Sequence, residues 1–208
     1  MYMKVILPAA ALLILGCGEN SNVPLAGDID SLSVEANATE FYATQQVQMT
    51  ATASYTLDVP DENVTAFIDW SESNSSIATV DGSGLVSGAE FGGDVEITGS
   101  FEQFSDSAIV HVHALTSVEI NASDTNLSTV TQEQTMQLYA LGTFDDNTTL
   151  DVTQGIGVNW IKGSGFSDSN ATLERNGTLY TGNAEGILEI NVTRYDVNDS
   201  FEINVTAP

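Results

Sequence analysis

A repeat at an offset of about ninety residues constrains the fold of this chain more than any other feature. The first copy of its core reads WSESNSSIATVDGSGLVSG, from Trp70 to Gly88, and a degraded second copy runs from Trp160 to Gly182. Around both copies, apolar and polar residues alternate in short runs broken by Gly, Asn, Asp and Ser, as in Val95–Thr98. Alternation with period two indicates half-buried antiparallel strands, and a fixed offset indicates one structural unit used twice. The repeat therefore predicts an all-β chain of two similar domains.

Each copy contains about seven short strands and one central tryptophan, which is typical of an immunoglobulin-like sandwich of two antiparallel sheets. We expect Trp70 in the middle of the first core. The segment Glu133–Leu141 alternates in polarity and is interpreted as a strand rather than a helix. The predicted domains are 30–113 and 114–208. They join so directly, at Ala114–Thr116, that we expect an end-to-end rod with limited bending.

The best-preserved part of the first copy is Asp69–Asp81, DWSESNSSIATVD, followed by Gly84–Gly88, GLVSG. This string resembles the bacterial immunoglobulin-like domain, group 2. The second copy is similar at lower fidelity through Trp160 and Ala171–Glu174, but it departs at Ile161–Phe166, where the Ser/Asn-rich turn is missing. The resemblance implies a module of bacterial surface proteins, including intimin- and invasin-like adhesins, that acts as a spacer or as a binding tip.

The chain begins with an apolar run, Val5–Leu15, after one positive charge. The run is too short to span a bilayer comfortably and fits a secretory signal. It leads to Cys17, with Ile14 three residues before it and Gly16 directly before it, and so resembles a bacterial lipoprotein signal. The resemblance implies that residues 1–16 are cleaved off and that Cys17 is lipidated. The alternative is an ordinary signal peptide with a chance cysteine.

The predicted anchor is followed by a tether. Residues 17–29 are polar and contain glycine and proline, which indicates a flexible segment. Several acyl chains on Cys17 would hold the protein stably at a membrane. Gly18 follows the cysteine, and by resemblance to enterobacterial sorting this favours the outer membrane. The expected location is the cell envelope, as an outer membrane lipoprotein facing the periplasm or the outside.

The chain is strongly acidic: 29 Asp and Glu oppose 4 Lys and Arg, for a net charge of −25. This balance excludes nucleic acid and anionic lipid headgroups as partners. Two interpretations of the acidity remain, a solvated surface that resists aggregation and divalent-cation binding by a few carboxylates. Oxygen ligands for calcium are available in two predicted loops, at Asp145–Asn147 with Asp151 and at Asp58 with Asp61–Glu62. Neither loop follows an ordered calcium motif, so we predict acidic turns and no metal site.

The sequence contains no arrangement that predicts catalysis. His111 and His113 share one face of a predicted strand, and they could bind a metal if a third ligand came from the neighbouring strand. The alternative is a pair of solvent-facing side chains. Cys17 is the only cysteine, so no intramolecular disulfide forms. We predict neither an enzyme nor a cofactor.

The candidate binding residues are Lys162 and Phe166, in a glycine-containing loop of the second copy. An aromatic in a polar loop is a common way to contact a partner, and the alternative is that Phe166 covers the core. The three basic residues after Lys4 all lie in the second copy: Lys162, Arg175 and Arg194. The sequence therefore predicts non-enzymatic binding or adhesion, to an unknown protein or glycan, through the second domain. The alternative function is a structural spacer or an assembly subunit of an envelope complex.

Overall fold

The computed structural model describes residues 29–56, 59–122, 129–166 and 170–208, and within these ranges it contains eighteen strands and no helix. The first nine strands are β1 (Ile29–Ala36), β2 (Glu40–Tyr42), β3 (Gln46–Tyr55), β4 (Glu62–Asn63), β5 (Asp69–Glu72), β6 (Ala78–Val80), β7 (Leu85–Gly88), β8 (Gly93–Phe101) and β9 (Phe104–His113). The other nine are β10 (Leu115–Ala122), β11 (Thr129–Thr131), β12 (Thr135–Phe144), β13 (Thr149–Asp151), β14 (Asn159–Lys162), β15 (Thr172–Leu173), β16 (Thr178–Tyr180), β17 (Gly186–Arg194) and β18 (Val197–Thr206).

The strands form two sandwiches of the same topology. In the first sandwich, β1–β9, one sheet has the order β1-β3-β7-β6 with β4 beside β3, and the other has the order β2-β9-β8-β5. The second sandwich, β10–β18, repeats this as β10-β12-β16-β15 with β13 beside β12, and β11-β18-β17-β14. The predicted fold class, two tandem antiparallel β-sandwiches of immunoglobulin-like type, is confirmed.

Each sandwich has nine strands rather than about seven. The first segment of each copy divides between the two sheets: β1 pairs antiparallel with β3, and β2 then pairs in parallel with β9. The second sandwich does the same with β10, β11 and β18. The remaining additions, β4 and β13, are two and three residues long. Pieces this short show no alternation of their own, so the sequence pattern does not reveal them.

The alternating pattern places one face of each strand in a core. In β17, Leu188, Ile190 and Val192 are fully buried. Ile187, the second residue of the strand, points outward and is exposed. Branched aliphatic residues suit such a half-buried pleated surface. The two cores are separate clusters of buried residues, one for each sandwich.

The tryptophans lie at the edge of the cores. Trp70 is half-buried on β5, the edge strand of its sheet, and its Nε1 donates to the carbonyl of Thr65 at 2.9 Å. Trp160 lies on the edge strand β14 and donates to Thr153 at 3.1 Å. The expectation of a mid-core Trp70 is therefore wrong, because an indole N–H needs a hydrogen-bond partner and finds it in a loop carbonyl beside the edge strand.

The repeat extends to polar contacts between the sheets. Asp106 Oδ2 accepts a hydrogen bond from the backbone N–H of Val34 at 2.7 Å, and Asp199 Oδ2 accepts one from Ile120 at 2.8 Å. Each carboxylate links the last strand of its sandwich to the first. Part of the acidity of the chain is therefore structural.

Several sequence-based predictions lie outside the described residues. These are the signal peptide 1–16, Cys17, almost all of the tether, and Asp58 of one acidic loop. Within the described ranges, no helix is long and apolar enough to cross a bilayer.

Candidate functional site at the domain junction

The chain passes from one sandwich to the other through a single residue. Strand β9 ends at His113 and β10 begins at Leu115, so Ala114 alone lies between them. The N–H of Ala114 donates to Asp145 Oδ2 at 3.1 Å, and the N–H of Asp145 donates to the carbonyl of Ala114 at 3.0 Å. Both the N–H and the carbonyl of Ala114 are thus hydrogen-bonded to Asp145 of the second sandwich.

A buried arginine of the second sandwich binds the first. Arg194 is only 3% exposed. Its Nη2 donates to the carbonyls of Ala43 at 2.6 Å and Gly88 at 2.9 Å, and its Nη1 donates to Ala89 at 3.0 Å. Its Nε donates to Ile156 of its own sandwich at 2.9 Å. We call Arg194 with its three carbonyls of the first sandwich the Arg194 clamp.

The charge of Arg194 is balanced by backbone dipoles. Burial lowers the pKa of the guanidinium, but arginine stays protonated in proteins. Within the described residues, no carboxylate lies within 4 Å of it. The centroid of the Tyr195 ring lies 4.8 Å from the guanidinium carbon. A buried charge is costly unless its donors are satisfied, so the clamp favours one arrangement of the two sandwiches.

The position of Arg194 follows from the repeat. It is the last residue of β17 and continues the inward-facing alternation of that strand. Phe101 holds the same place at the end of β8, and each is followed by a residue with positive φ, Glu102 at 54° and Tyr195 at 49°. The second copy thus has an arginine, directed at its neighbour, where the first copy has an apolar side chain.

Sequence reasoning missed the clamp and counted Arg194 only as one of the three basic residues of the second copy. The structure shows that this residue is buried. The signal that could have found it was present, since a charged residue stands at an inward-facing position where the other copy has Phe101.

Packing around the clamp closes the junction. The carbonyl of Thr44 accepts a hydrogen bond from the N–H of Ile156 at 3.0 Å, and the rings of Tyr42 and Phe144 lie 4.6 Å apart between centroids. Space is tight, because a Cβ added at Gly155 would come within 2.9 Å of Thr44 Cβ. The first sandwich therefore inserts its 42–44 segment against the second.

A cluster of histidines and carboxylates lies at the same junction. His113 Nδ1 is 3.0 Å from Asp145 Oδ1, and its Nε2 is 3.8 Å from Glu40 Oε2. His111 Nδ1 is 2.6 Å from Asp94 Oδ1. The predicted shared face of the two histidines is confirmed, since the valines on either side of them in β9 are fully buried. The sequence did not reveal that the acidic turn after β12 belongs beside His113.

The two predicted binding residues lie close together. Lys162 is exposed on β14, and its Nζ lies 5.8 Å from the centroid of the Phe166 ring. Phe166 is half-buried and packs against the second core. Residues 167–169 of the same loop lie outside the described ranges. A binding role for Lys162 and Phe166 stays a prediction.

The described residues contain no nucleophile paired with a base. His111 has a carboxylate beside Nδ1, His113 has one beside each ring nitrogen, and in the ranges described here no serine or threonine is hydrogen-bonded to either ring.

A comparison with known sequences finds a relative that spans the junction. No family model matches the chain, and membership of the group 2 family stays a prediction. The chain is similar to ice-binding protein 1 of Shewanella frigidimarina, with 33% identity over 159 residues. The match covers 76% of this chain and 17% of that protein, so the chain spans about a sixth of the length of the relative. Because 159 residues exceed either sandwich, the match includes parts of both.

The chain is also similar, at low identity, to several solved structures. They include domains 4 and 5 of the S-layer protein SbsC, at 14% identity, with 86% of this chain and 100% of that one covered and a TM-score of 0.36. The adhesin InvE of Yersinia pseudotuberculosis is similar at 10% identity, over 86% of this chain and 60% of that one, with a TM-score of 0.36. The Escherichia coli adhesin FdeC is similar at 16% identity, over 84% and 64%, with a TM-score of 0.34.

Proposed function

We propose that this chain is a non-enzymatic protein of the bacterial cell envelope, in which two immunoglobulin-like domains of the group 2 type form one stiff stalk. The stalk holds a binding surface at a fixed distance and orientation from a lipid anchor on Cys17. The observation that carries the proposal is the Arg194 clamp, which buries a charge of one domain against the backbone of the other.

Stiffness follows from the sum of the junction contacts. Domains of one chain move relative to each other by default unless their interface is extensive. Here a single residue links the two domains. Three hydrogen bonds from the charged side chain of Arg194 cross the junction, and Tyr42 packs against the core of the second domain. Bending would separate the guanidinium from its carbonyls, and hydrogen bonds to charged groups are about twice as strong as neutral ones.

The Shewanella relative supports the proposal that the two domains act together. Its match crosses the junction, so it includes the segment in which the two domains meet. Ice binding belongs to the name of that longer protein, most of which lies outside the match. For this chain we propose a supporting role, which does not depend on the ligand that the binding surface recognises.

Distance measurements between spin labels test the stalk. Labels at Asp69→Cys and Glu202→Cys, both exposed positions, report on the two domains in the full chain with Cys17→Ala. We expect a narrow distance distribution for this protein and a broad one when Arg194→Ala is added. Arg175→Ala is the matched control, because Arg175 is an exposed arginine of the same domain. A broad distribution with Arg194 intact, or equal broadening by both substitutions, would refute the stalk.

Direct binding by the second domain is the second candidate function. Ile161 on β14 and Ile187 on β17 are 46% and 52% exposed, and Lys162 lies next to the first of them. Exposed aliphatic side chains beside a charge suit a protein or glycan partner. We expect Ile187→Asn to reduce retention of the full chain on a glycan array, and Ile109→Asn, at a site of the first domain that is 62% exposed, to leave it unchanged. Absence of any retention would remove glycans as the partner.

The lipid anchor is tested by membrane fractionation. Cys17→Ala should move the protein from the membrane fraction to the soluble one, since acylation supplies the proposed anchor. An unchanged distribution would refute it. Protease treatment of intact cells then distinguishes a surface-facing stalk, which is digested, from a periplasmic one, which is protected.

A further inference from the structure

We propose that His113, Asp145 and Asp146 form a binding site for a divalent transition-metal cation of the Zn²⁺ class at the junction of the two sandwiches. One ligand atom from each residue lies within 4.8 Å of the other two. Tetrahedral zinc with bonds of about 2.0–2.1 Å places its ligand atoms about 3.3 Å apart. The separations exceed this spacing by at most about 1.5 Å, a gap that side-chain rotation would close on binding.

The ligand set selects the class of cation. It combines one imidazole nitrogen with carboxylate oxygens, a mixture that suits zinc and its neighbours, whereas calcium and magnesium prefer oxygen alone. The side chain of His113 is 17% exposed, which leaves the site open to solvent on one side. Water can occupy a fourth position there.

Neighbouring groups orient the proposed ligands. Asp145 Oδ2 accepts the hydrogen bond from the N–H of Ala114, and Asp146 Oδ2 accepts one from the hydroxyl of Tyr42 at 3.2 Å. Asp146 also accepts hydrogen bonds from the N–H and hydroxyl of Thr148 at 2.8 Å and 2.7 Å.

The ring of His113 lies between two carboxylates. Its Nδ1–H donates to Asp145 Oδ1 at 3.0 Å, and its Nε2 is 3.8 Å from Glu40 Oε2. On binding, the cation would replace the Nδ1 proton and lie between this nitrogen and the carboxylate of Asp145. The ring also contacts Tyr42 at 5.1 Å and His111 at 4.9 Å between centroids, which limits its rotation.

The site draws ligands from both sandwiches. His113 ends β9 of the first, whereas Asp145 and Asp146 lie in the turn between β12 and β13 of the second. A bound cation would therefore cross-link the junction, on a part of it separate from the Arg194 clamp. The proposal stands on its own ligand geometry and does not depend on the stalk.

Zinc titration of the full chain, with Cys17→Ala to remove the thiol and after chelator treatment, tests the site by calorimetry. We expect one Zn²⁺ per chain at pH 7 and a raised melting temperature with Zn²⁺ present. His113→Asn retains a hydrogen-bonding group near Nδ1 but loses the imidazole, and we expect it to weaken binding by at least about tenfold. Asp146→Asn should do the same, because it removes the second charged ligand.

Asp94→Asn is the matched control for Asp146→Asn, because it removes an exposed carboxylate that pairs with His111 and lies outside the triad. Unchanged zinc binding in this variant, with loss in Asp146→Asn and His113→Asn, would support the site. Absence of stoichiometric binding, equal loss in Asp94→Asn and Asp146→Asn, or calcium binding that His113→Asn leaves intact would each overturn it. Circular dichroism of the metal-free variants confirms that any loss is not a loss of fold.

Discussion

Replacing Arg194 by methionine tests how strongly the two sandwiches depend on each other. The substitution keeps an unbranched apolar side chain and removes every donor of the Arg194 clamp. Three of the hydrogen bonds lost cross the junction, to Ala43, Gly88 and Ala89. At about 1.5 kcal/mol apiece, the low end for a charged donor, they add to about 4.5 kcal/mol of coupling between the domains.

Differential scanning calorimetry of the full chain measures this coupling. With the clamp intact, we expect the two sandwiches to unfold in one cooperative transition, because neither can open without exposing the buried guanidinium or its carbonyls. In Arg194→Met we expect two transitions, the lower of them shifted down by well over 10 °C. One kcal/mol corresponds to about 4–8 °C for a domain of this size.

The matched control is Arg175→Met, which alters an exposed arginine and should change stability by less than about 0.5 kcal/mol. The reasoning is refuted if the two methionine variants melt alike, or if Arg194→Met keeps one transition at the original temperature. Either result would mean that the clamp bonds are replaced by water at no net loss.

Three further perturbations test other parts of the structure. Trp70→Ala should destabilise the first sandwich by about 3 kcal/mol, since the half-buried indole is lost together with its bond to Thr65, and urea unfolding measures it. Gly88→Ala should cost about 1–3 kcal/mol, because the new Cβ would lie 2.6 Å from Ala43 Cα. Asp81 has a pKa below its usual 3.8 because the turn that follows donates hydrogen bonds to it. Its contribution to stability is present above pH 3.8 and is lost as pH falls through the lower folded value, and carboxyl NMR shifts measure that titration.

For each of these three expectations, a specific result would contradict the reasoning or a specific variant serves as its control. A melting curve of Trp70→Ala identical to that of the parent would mean that the indole does not support the core. Gly82→Ala is the control for Gly88→Ala, because a Cβ at Gly82 meets nothing within 4 Å. For Asp81, a titration midpoint that stays the same after Ser83→Ala would exclude the serine hydroxyl as the first cause of the shift.

Much of each sandwich could be predicted from alternation and the repeat. The interpretation of Glu133–Leu141 as strand agrees with β12. These elements are local: alternate side chains enter a core, so the pattern is visible in the sequence itself. The edge position of Trp70 was not visible, because it depends on which strand ends the sheet.

The junction could not be predicted because it depends on how two finished domains meet. His113 and Asp145 are 32 residues apart in sequence, and no periodicity relates them. Arg194 is 151 residues from Ala43, whose carbonyl it binds. Comparison of the two copies position by position would have drawn attention to Arg194, but only the assembled chain shows which carbonyls it meets.

The parallel pairing of β2 with β9, and of β11 with β18, has a mechanical consequence for a chain pulled from its two ends. Tension draws the first segment of each sandwich towards the N-terminus and its last strand towards the C-terminus. Since the paired strands run in the same direction, this force slides one along the other, and the hydrogen bonds between Glu40–Tyr42 and His111–His113 are loaded in shear. Bonds loaded in shear must break together, whereas those at the end of a hairpin open one after another. Each sandwich is therefore built to resist stretching along the chain.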